Sequence, residues 1–88
     1  MKVKFSSHGW ADYLHWQASD PNALNRLNAL IEECRRHPFT GTGKPEGLKG
    51  NLSGWWSRRI TSEHRLVYRV TGSGVDQTLE IAQCRFHY

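Results

Sequence analysis

Three residues in the sequence are of the types that cleave RNA without a metal ion. That reaction needs a base to deprotonate the ribose 2′-OH, a cation to offset charge on the phosphate, and an acid to protonate the departing 5′-oxygen. Glu46, Arg65 and His87 are of the right types for these tasks, in that order. They are far apart along the chain, so the hypothesis requires a fold that brings them together.

Each of these residues also has an ordinary interpretation. Glu46 lies among glycines and a proline, where an acidic side chain is usually solvated. Arg65 could pair with Glu63 or Glu80 on the surface. His87 is close to the end of the sequence, where chains commonly fray. Taken singly, none of the three residues separates an enzyme from an ordinary surface.

The charge of the chain is unevenly distributed. The net charge is +4, and residues 1–34 carry three Lys/Arg against four Asp/Glu, whereas residues 35–88 carry nine against four. Positive charge clustered with aromatic residues favours a polyanionic partner such as RNA. The alternative is a set of solvated surface cations.

Composition excludes several other classes of protein. Two isolated cysteines, Cys34 and Cys84, do not make a disulfide framework, and we predict that both are buried in a reducing compartment. The histidines and cysteines lack metal-ligand spacing, so neither a metal nor another cofactor is expected. With no signal peptide and no apolar run of ~20 residues, the sequence predicts one cytoplasmic domain over 1–88 that does not contact a membrane.

The first 38 residues predict a short strand and two helices, which must support any site. Apolar residues alternate with lysines at the start, as in a strand with one buried face. Two helical patterns follow, each preceded by a residue that can cap it. The signals are Ser6 or Ser7 for the first helix, Asp20 and Pro21 for the start of the second, and Pro38 for its end.

The remainder of the chain predicts a long loop followed by a β-meander. Residues 39–50 contain four glycines and a proline, and they predict the loop. Strand-like runs at 52–60, 64–71 and 78–87 are joined by short turns, which favours antiparallel pairing. The predicted fold class is α+β, with two N-terminal helices packed on one face of a mostly antiparallel sheet of four or five strands.

Strand parity predicts which side chains share the open face of this sheet. In the middle run, positions 66, 68 and 70 form the core side, which leaves Arg65 on the other face. Arg59 of the preceding run falls on the same open face. Keeping Cys84 and Phe86 on the core side brings His87 to that face as well.

Two apolar residues disturb this parity. Leu79 and Ile81 would lie on the open face if the last run were regular. Either the sheet is covered on both sides there, or a β-bulge changes the parity. Trp55 also falls on the open face, where an indole could stack on a base.

A long motif connects these residues to a known family. The sequence resembles the Txe/YoeB toxins, the ribosome-dependent, messenger-cleaving branch of the RelE superfamily, in W-S-R-R-I-T-x-E-H-R-L-V-Y and in the later C-R-[aromatic]-H-Y. The interval from Glu46 to Arg65 also matches, and the likeness extends from about Trp10 to Tyr88. The segment 72–77 is longer than the tight turn expected in the family, which leaves local strand register open.

The resemblance implies roles for individual residues. Four positions match catalytic residues: Glu46 the carboxylate, Arg65 the phosphate-stabilising arginine, His87 the general acid and Tyr88 the terminal active-site tyrosine. Lys49, Arg59 and Glu63 match supporting positions around the RNA, and Trp55 joins them as the candidate for base stacking.

The resemblance also implies a fold, an activity and partners. The fold is RelE-like, and the activity is that of a type II toxin that cleaves messenger RNA in the ribosomal A site through attack of a 2′-OH. A YefM-like acidic antitoxin is the implied partner, and the positive charge of residues 35–88 suits it. A homodimer is left open.

A binding domain without catalytic activity is the competing hypothesis. It would use the same arginines and tryptophans to hold phosphates and bases on RNA or on the ribosome. Glu46, His87 and Tyr88 would be superfluous to such a domain, so their joint presence favours an enzyme.

Overall fold

Two helices pack against one face of a five-stranded sheet in the computed structural model, which describes residues 1–87. The sheet order is β1-β5-β4-β3-β2, with β1 parallel to β5 and the other neighbours antiparallel. The elements are β1 Lys2–Phe5, α1 Ser7–Ser19, α2 Pro21–Arg36, β2 Glu46–Gly47, β3 Trp56–Arg59, β4 Arg65–Thr71 and β5 Thr78–Gln83. The predicted α+β arrangement is confirmed.

Both helices begin at the predicted signals, and α2 also ends at one. The Ser6 side chain accepts a hydrogen bond from the Gly9 N–H at 2.9 Å, and the Asp20 carboxylate accepts one from the Ala23 N–H at 3.1 Å. These caps satisfy backbone donors that the first helical turn leaves unpaired. Helix α2 stops before Pro38, which disfavours helical geometry in the preceding residue. Among residues 1–87, neither helix has the length and apolarity to cross a bilayer.

The hydrophobic core lies between the helices and the even-numbered face of β3 and β4. Both cysteines are buried and unpaired, as predicted. The principal core side chains are Trp16, Leu27, Leu30, Ile31, Cys34, Ile60, Leu66, Tyr68, Leu79, Ile81 and Cys84.

A β-bulge resolves the conflict of parity in the last strand. Tyr68 pairs with Ile81, but the preceding residue, Val67, pairs with Gln83, so Ala82 is the extra residue. The extra residue shifts the alternation of the strand by one position. Leu79 and Ile81 before the bulge and Cys84 after it therefore all face the core. The alternative with a bulge is confirmed. The segment 72–77 contains a 3₁₀ turn at Gly74–Asp76 and does not disturb the register beside it.

Three predicted boundaries are wrong. The first run forms a strand only from Trp56, because Gly50–Leu52 is a 3₁₀ turn. The last strand ends at Gln83 instead of continuing to 87, and Phe86 is 56% exposed with a left-handed φ of 64°, so it is not a core residue. The loop 39–50 is interrupted by β2, which holds Glu46 against β3.

Candidate functional site

A polar cavity of about 170 Å³ lies on the sheet face that points away from the helices. Its walls come from the segment leading into β2, from β3 and β4, and from the segment after β5. The lining residues are Lys44, Glu46, Ser57, Arg59, Arg65 and His87. Four residues singled out from the sequence, Glu46, Arg59, Arg65 and His87, therefore share one cavity.

Strand register explains why these side chains meet. Glu46 lies opposite Ser57, and Arg59 lies opposite Arg65. Directly opposed residues point to the same face with their Cβ atoms about 5 Å apart. The Gly43 carbonyl accepts from the Arg59 N–H at 2.7 Å, and a Cβ at Gly43, where φ is 85°, would lie 3.1 Å from the Arg59 carbonyl oxygen. Glycine at position 43 thus permits the close approach to Arg59 that places the following residue, Lys44, in the cavity wall.

Positive charge dominates the cavity. Lys44, Arg59 and Arg65 oppose the single carboxylate of Glu46, which gives the lining a formal charge of +2 while His87 is neutral. A recess lined by one sign of charge concentrates ions of the other sign. The cavity is therefore suited to a phosphodiester, with an acidic and an imidazole side chain at the same place.

Arg65 is held rigidly within the cavity wall. Its side chain is nearly buried, and its Nη1 atom donates to the carbonyl oxygens of Thr61, Ser62 and His64 at 2.9, 3.2 and 3.1 Å. A guanidinium carries five N–H donors, so the fork retains other donors for an anion in the cavity. Because its orientation is already fixed, little rearrangement is needed when charge develops beside it.

The ordinary interpretation of Arg65 as an ion-pair partner is wrong for the described part of the chain. Within residues 1–87, Arg65 forms no salt bridge. Glu80 instead contacts Arg69, at 3.0 Å, and accepts from the Thr71 hydroxyl at 2.8 Å. Among the described residues, the carbonyl dipoles of Thr61, Ser62 and His64 partly balance the charge of Arg65.

His64 fixes the segment that carries His87, a function that the sequence analysis did not assign to it. Its Nδ1 atom accepts from the Phe86 N–H at 2.7 Å, and the Arg65 N–H donates to the Phe86 carbonyl at 3.0 Å. Both backbone polar groups of Phe86 are thus held beside the start of β4, and His87 follows directly. The sequence signal for this role was the position of His64 directly before Arg65 in the motif.

Helix α1 anchors the same segment from the other side. The Trp16 indole N–H donates to the Cys84 carbonyl at 2.7 Å, and the buried Asp12 carboxylate accepts from the Cys84 N–H at 3.0 Å. Burial, with the Asp12 charge nearby, raises the pKa of the Cys84 thiol to about 12, so the thiol stays neutral. The chain therefore leaves the core at a fixed point, only three residues before His87.

Arg58 is a second residue that the sequence analysis missed. It is fully buried, on the core side of β3, and lies 3.4 Å from a Glu33 carboxylate oxygen. The sequence signal was its even-numbered position between Trp56 and Ile60, because alternate residues of a strand share one face and those two were assigned to the core side. Its guanidinium donates to four oxygen atoms, namely the Tyr68 hydroxyl and the backbone carbonyls of His37, Thr40 and Thr42.

These bonds fix the path of residues 37–42, which lead to the cavity. The Glu33 carboxylate also accepts from the Thr42 N–H at 2.8 Å, and this bond, helped by the Arg58 charge, holds the pKa of Glu33 below its ordinary value. The Tyr68 hydroxyl donates to the Pro38 carbonyl, and burial raises its pKa to about 12. The loop is thus tied to the core a few residues before Glu46.

Three residues predicted to contact RNA lie outside the cavity lining. Lys49 is exposed just before a 3₁₀ turn, and Glu63 is exposed in the turn between β3 and β4. Trp55 is half-buried on the open face, where it lines a separate cavity of about 220 Å³. Tyr88 lies outside the described residues.

Comparisons with known proteins agree with the geometry. A family model described as the YoeB-like toxin of bacterial type II toxin-antitoxin systems matches residues 5–88. Toxin YoeB of Escherichia coli strain K12 is 57% identical over 88 residues, which cover both chains completely.

Solved structures resemble the whole chain as well. The YoeB/ParE toxin from Agrobacterium tumefaciens superposes with a TM-score of 0.96 at 55% identity, with complete coverage of both chains. A heterotetrameric YoeB-YefM toxin-antitoxin complex from Staphylococcus aureus contains a chain with a TM-score of 0.88 and 40% identity, covering 100% of this chain and 98% of that one. The predicted RelE-like fold is confirmed.

Proposed function

Because the chain belongs to the YoeB-like toxins of bacterial type II toxin-antitoxin systems, we propose that it is an endoribonuclease that cleaves messenger RNA in the ribosomal A site. The observation that carries the proposal is the shared cavity of Glu46, Arg59, Arg65 and His87. A carboxylate, two guanidinium groups and an imidazole supply the base, the charge stabilisation and the acid of a metal-independent reaction.

The reaction is a displacement at phosphorus. Ionised Glu46 takes the proton of the ribose 2′-OH, and the 2′-oxygen forms a bond to the adjacent phosphorus. Arg65, with Arg59, stabilises the negative charge that grows on the phosphate oxygens. Protonated His87 donates to the 5′-oxygen as the P–O5′ bond breaks, and Tyr88 completes the site. The products are a 2′,3′-cyclic phosphate and a 5′-OH end.

Ribosome dependence follows from the magnitudes involved. A general acid or base contributes about 10² to 10⁴ in rate, whereas correct positioning of the reacting groups can contribute up to ~7–11 kcal/mol. A domain of 88 residues has little surface with which to order a flexible messenger alone. We propose that the ribosome supplies this positioning, with Lys49, Glu63 and Trp55 contacting RNA around the cavity.

The toxin assignment also implies an inhibitor. The related toxin from Staphylococcus aureus occurs in a complex with YefM. We propose that a YefM-like acidic antitoxin binds this chain and obstructs the cavity, since a basic surface favours association with an acidic segment. Action on ribosomes and messenger RNA implies a cytoplasmic location.

Primer extension on a defined messenger, with and without ribosomes, tests the proposal. We expect cleavage at A-site codons only when ribosomes are present, and 5′ ends that a polynucleotide kinase can label without prior phosphatase treatment. Translation arrest with an intact messenger would instead support the binding domain without catalytic activity. Cleavage that required a divalent ion bound to the toxin would contradict the mechanism.

A further inference from the structure

We propose that Trp55 and Arg69 form a second RNA subsite, which stacks one base of the messenger beside the cleavage cavity. This inference rests on the proposed function, because it extends the path of the same RNA substrate across the sheet. The subsite is separate from the cavity of Glu46 and His87, and none of its residues is needed for proton transfer.

Strand register arranges the subsite as a row across four strands. Trp56 pairs with Tyr68, so the preceding Trp55 lies opposite Arg69. Arg69 pairs with Glu80. Lys4 of β1 is the partner of Glu80 on the other side. The row therefore crosses the open face, the same face that carries the cleavage cavity.

The indole is held in place by the neighbouring strands. The Arg69 guanidinium carbon lies 4.4 Å from the centroid of the Trp55 ring, a cation–π contact. Arg69 is itself fixed by Glu80, whose carboxylate oxygen is 3.0 Å away, and Thr71 donates to the second oxygen at 2.8 Å. A flat aromatic surface with restricted motion loses little entropy when a base stacks on it.

The indole lies at a cavity that could receive a nucleobase. Arg69 lies over the Trp55 ring, and Trp55 is only partly buried. Trp55 also lines the cavity of about 220 Å³, together with Lys4, Ser6 and Glu80. Every base has a π face that can stack on an aromatic ring, and the Lys4 ammonium can contact a phosphate.

Spacing and charge connect the subsite to the cleavage cavity. Trp55 precedes Ser57 by two residues and Arg59 by four, which correspond to about 7 and 13 Å along a strand. That distance is spanned by a few nucleotides. Arg69 and Lys4 against Glu80 give the row a formal charge of +1, so a polyanion meets positive charge along the whole path.

Uncleavable oligonucleotides test the subsite without depending on catalysis. Six-nucleotide single strands with 2′-O-methyl groups at every position cannot undergo attack by a 2′-OH. Binding of the full chain to a fluorescent oligonucleotide is measured by anisotropy, and an abasic residue is placed at each position in turn. We expect one position at which loss of the base weakens binding by about 5- to 150-fold, the range for one stacked base.

The variants Trp55→Ala and Trp55→Phe assign that loss to the indole. Trp55→Ala should remove the difference between intact and abasic oligonucleotides, whereas Trp55→Phe keeps an aromatic face and should retain part of it. Trp10→Ala removes an exposed tryptophan on the helix side of the sheet and should leave the difference unchanged. Thermal melting checks that all three variants are folded.

Two results would overturn the subsite. One is a wild-type protein that is indifferent to abasic residues at every position, and the other is an abasic penalty that persists in Trp55→Ala. In either case, weaker binding of an acidic antitoxin peptide by Trp55→Ala would assign the row to a protein partner. Ribosomal cleavage can succeed while these measurements fail, or fail while they succeed, so the two proposals are tested separately.

Discussion

His87 is the residue whose replacement separates chemistry from binding. Glutamine keeps a polar side chain of similar reach but cannot act as a general acid near neutral pH. His87→Gln should therefore lower the single-turnover rate of cleavage on ribosomes by roughly 10² to 10⁴, with little change in ribosome affinity. His37→Gln is the matched control, because the exposed His37 side chain does not line the cavity. Near-normal cleavage by His87→Gln would transfer the role of acid to another group.

Arg65 and Arg59 line the same cavity but differ in burial, so their alanine variants should differ as well. Arg65→Ala leaves three carbonyl oxygens without their common donor and should lower stability by about 1–3 kcal/mol. It should also lower the cleavage rate by about 10² to 10³. The exposed Arg59 should affect RNA affinity without comparable loss of stability. Urea unfolding and single-turnover cleavage measure the two effects, and equal destabilisation by both variants would contradict this assignment.

The sequence could predict which polar residues meet at the cavity, because the alternation of side chains along a strand and the family motif can both be read from neighbouring residues. Parity brought Arg59 and Arg65 to one face, and the structure has them directly opposite each other. His87 reached the cavity for a different reason than predicted. The segment leaves the strand after the bulge and turns at Phe86, and these features depend on tertiary contacts. The chemical roles of all these residues stay predictions.

At the scale of elements, Arg58 connects α2, β3 and the loop before Glu46. Arg58→Met fills a similar volume but removes the cation beside Glu33 and leaves three loop carbonyls without their donor. We expect a loss of about 1–3 kcal/mol in the free energy of unfolding, the cost of leaving buried hydrogen-bond acceptors without a donor. Cleavage should fall too, since Glu46 follows this loop. Glu33→Gln keeps a side-chain acceptor for Thr42 and should cost less. Similar unfolding midpoints for Arg58→Met and wild type in urea would contradict the proposed anchor.

The same anchor predicts how acid destabilises the protein. Hydrogen bonding from Thr42 lowers the pKa of Glu33 in the folded state from its ordinary value of 4.5. A lowered folded pKa means that this contribution to stability is fully present above that ordinary value and is lost as the pH falls through the folded pKa. Urea unfolding from pH 7 to pH 3 should show this loss, and Glu33→Gln should show a shallower decline at low pH. Parallel pH profiles for the two proteins would contradict the assignment.

Element boundaries were predictable where a single side chain decides them. Ser6, Asp20 and Pro38 each satisfy or exclude a backbone group within a few residues, so the helix limits followed from sequence. The parallel partner of β1 could not be predicted from sequence, because pairing between strands so far apart along the chain depends on the whole sheet. The bulge could be posed as an alternative only because Leu79 and Ile81 conflicted with the parity of the strand.

At the scale of the whole molecule, the charge of the open face should determine the salt dependence of RNA binding. Each phosphate contact to single-stranded RNA contributes about 0.7 to the slope of log affinity against log salt concentration. Contacts from Lys49, Arg59 and Arg65 predict a slope near −2 in a titration with an uncleavable oligonucleotide. Lys49→Ala should reduce the slope by about 0.7, whereas Arg36→Ala, on the last turn of α2 outside the cavity lining, should not. A flat salt dependence would remove the electrostatic basis of RNA recognition.

The pairing of β1 with β5 determines when the toxin can fold during its synthesis on the ribosome. Lys2 pairs with Thr78, and Ser6 reaches Ala82 across a separation of 76 residues. Strand β1 therefore has no partner, and the cavity has no His87, until residues 78–87 have emerged from the exit tunnel. A chain that lacks residues 78–87 therefore has neither the β1–β5 pairing nor the complete cavity. The ribosome that translates this message should thus be protected from its own product by the order in which the fold is assembled.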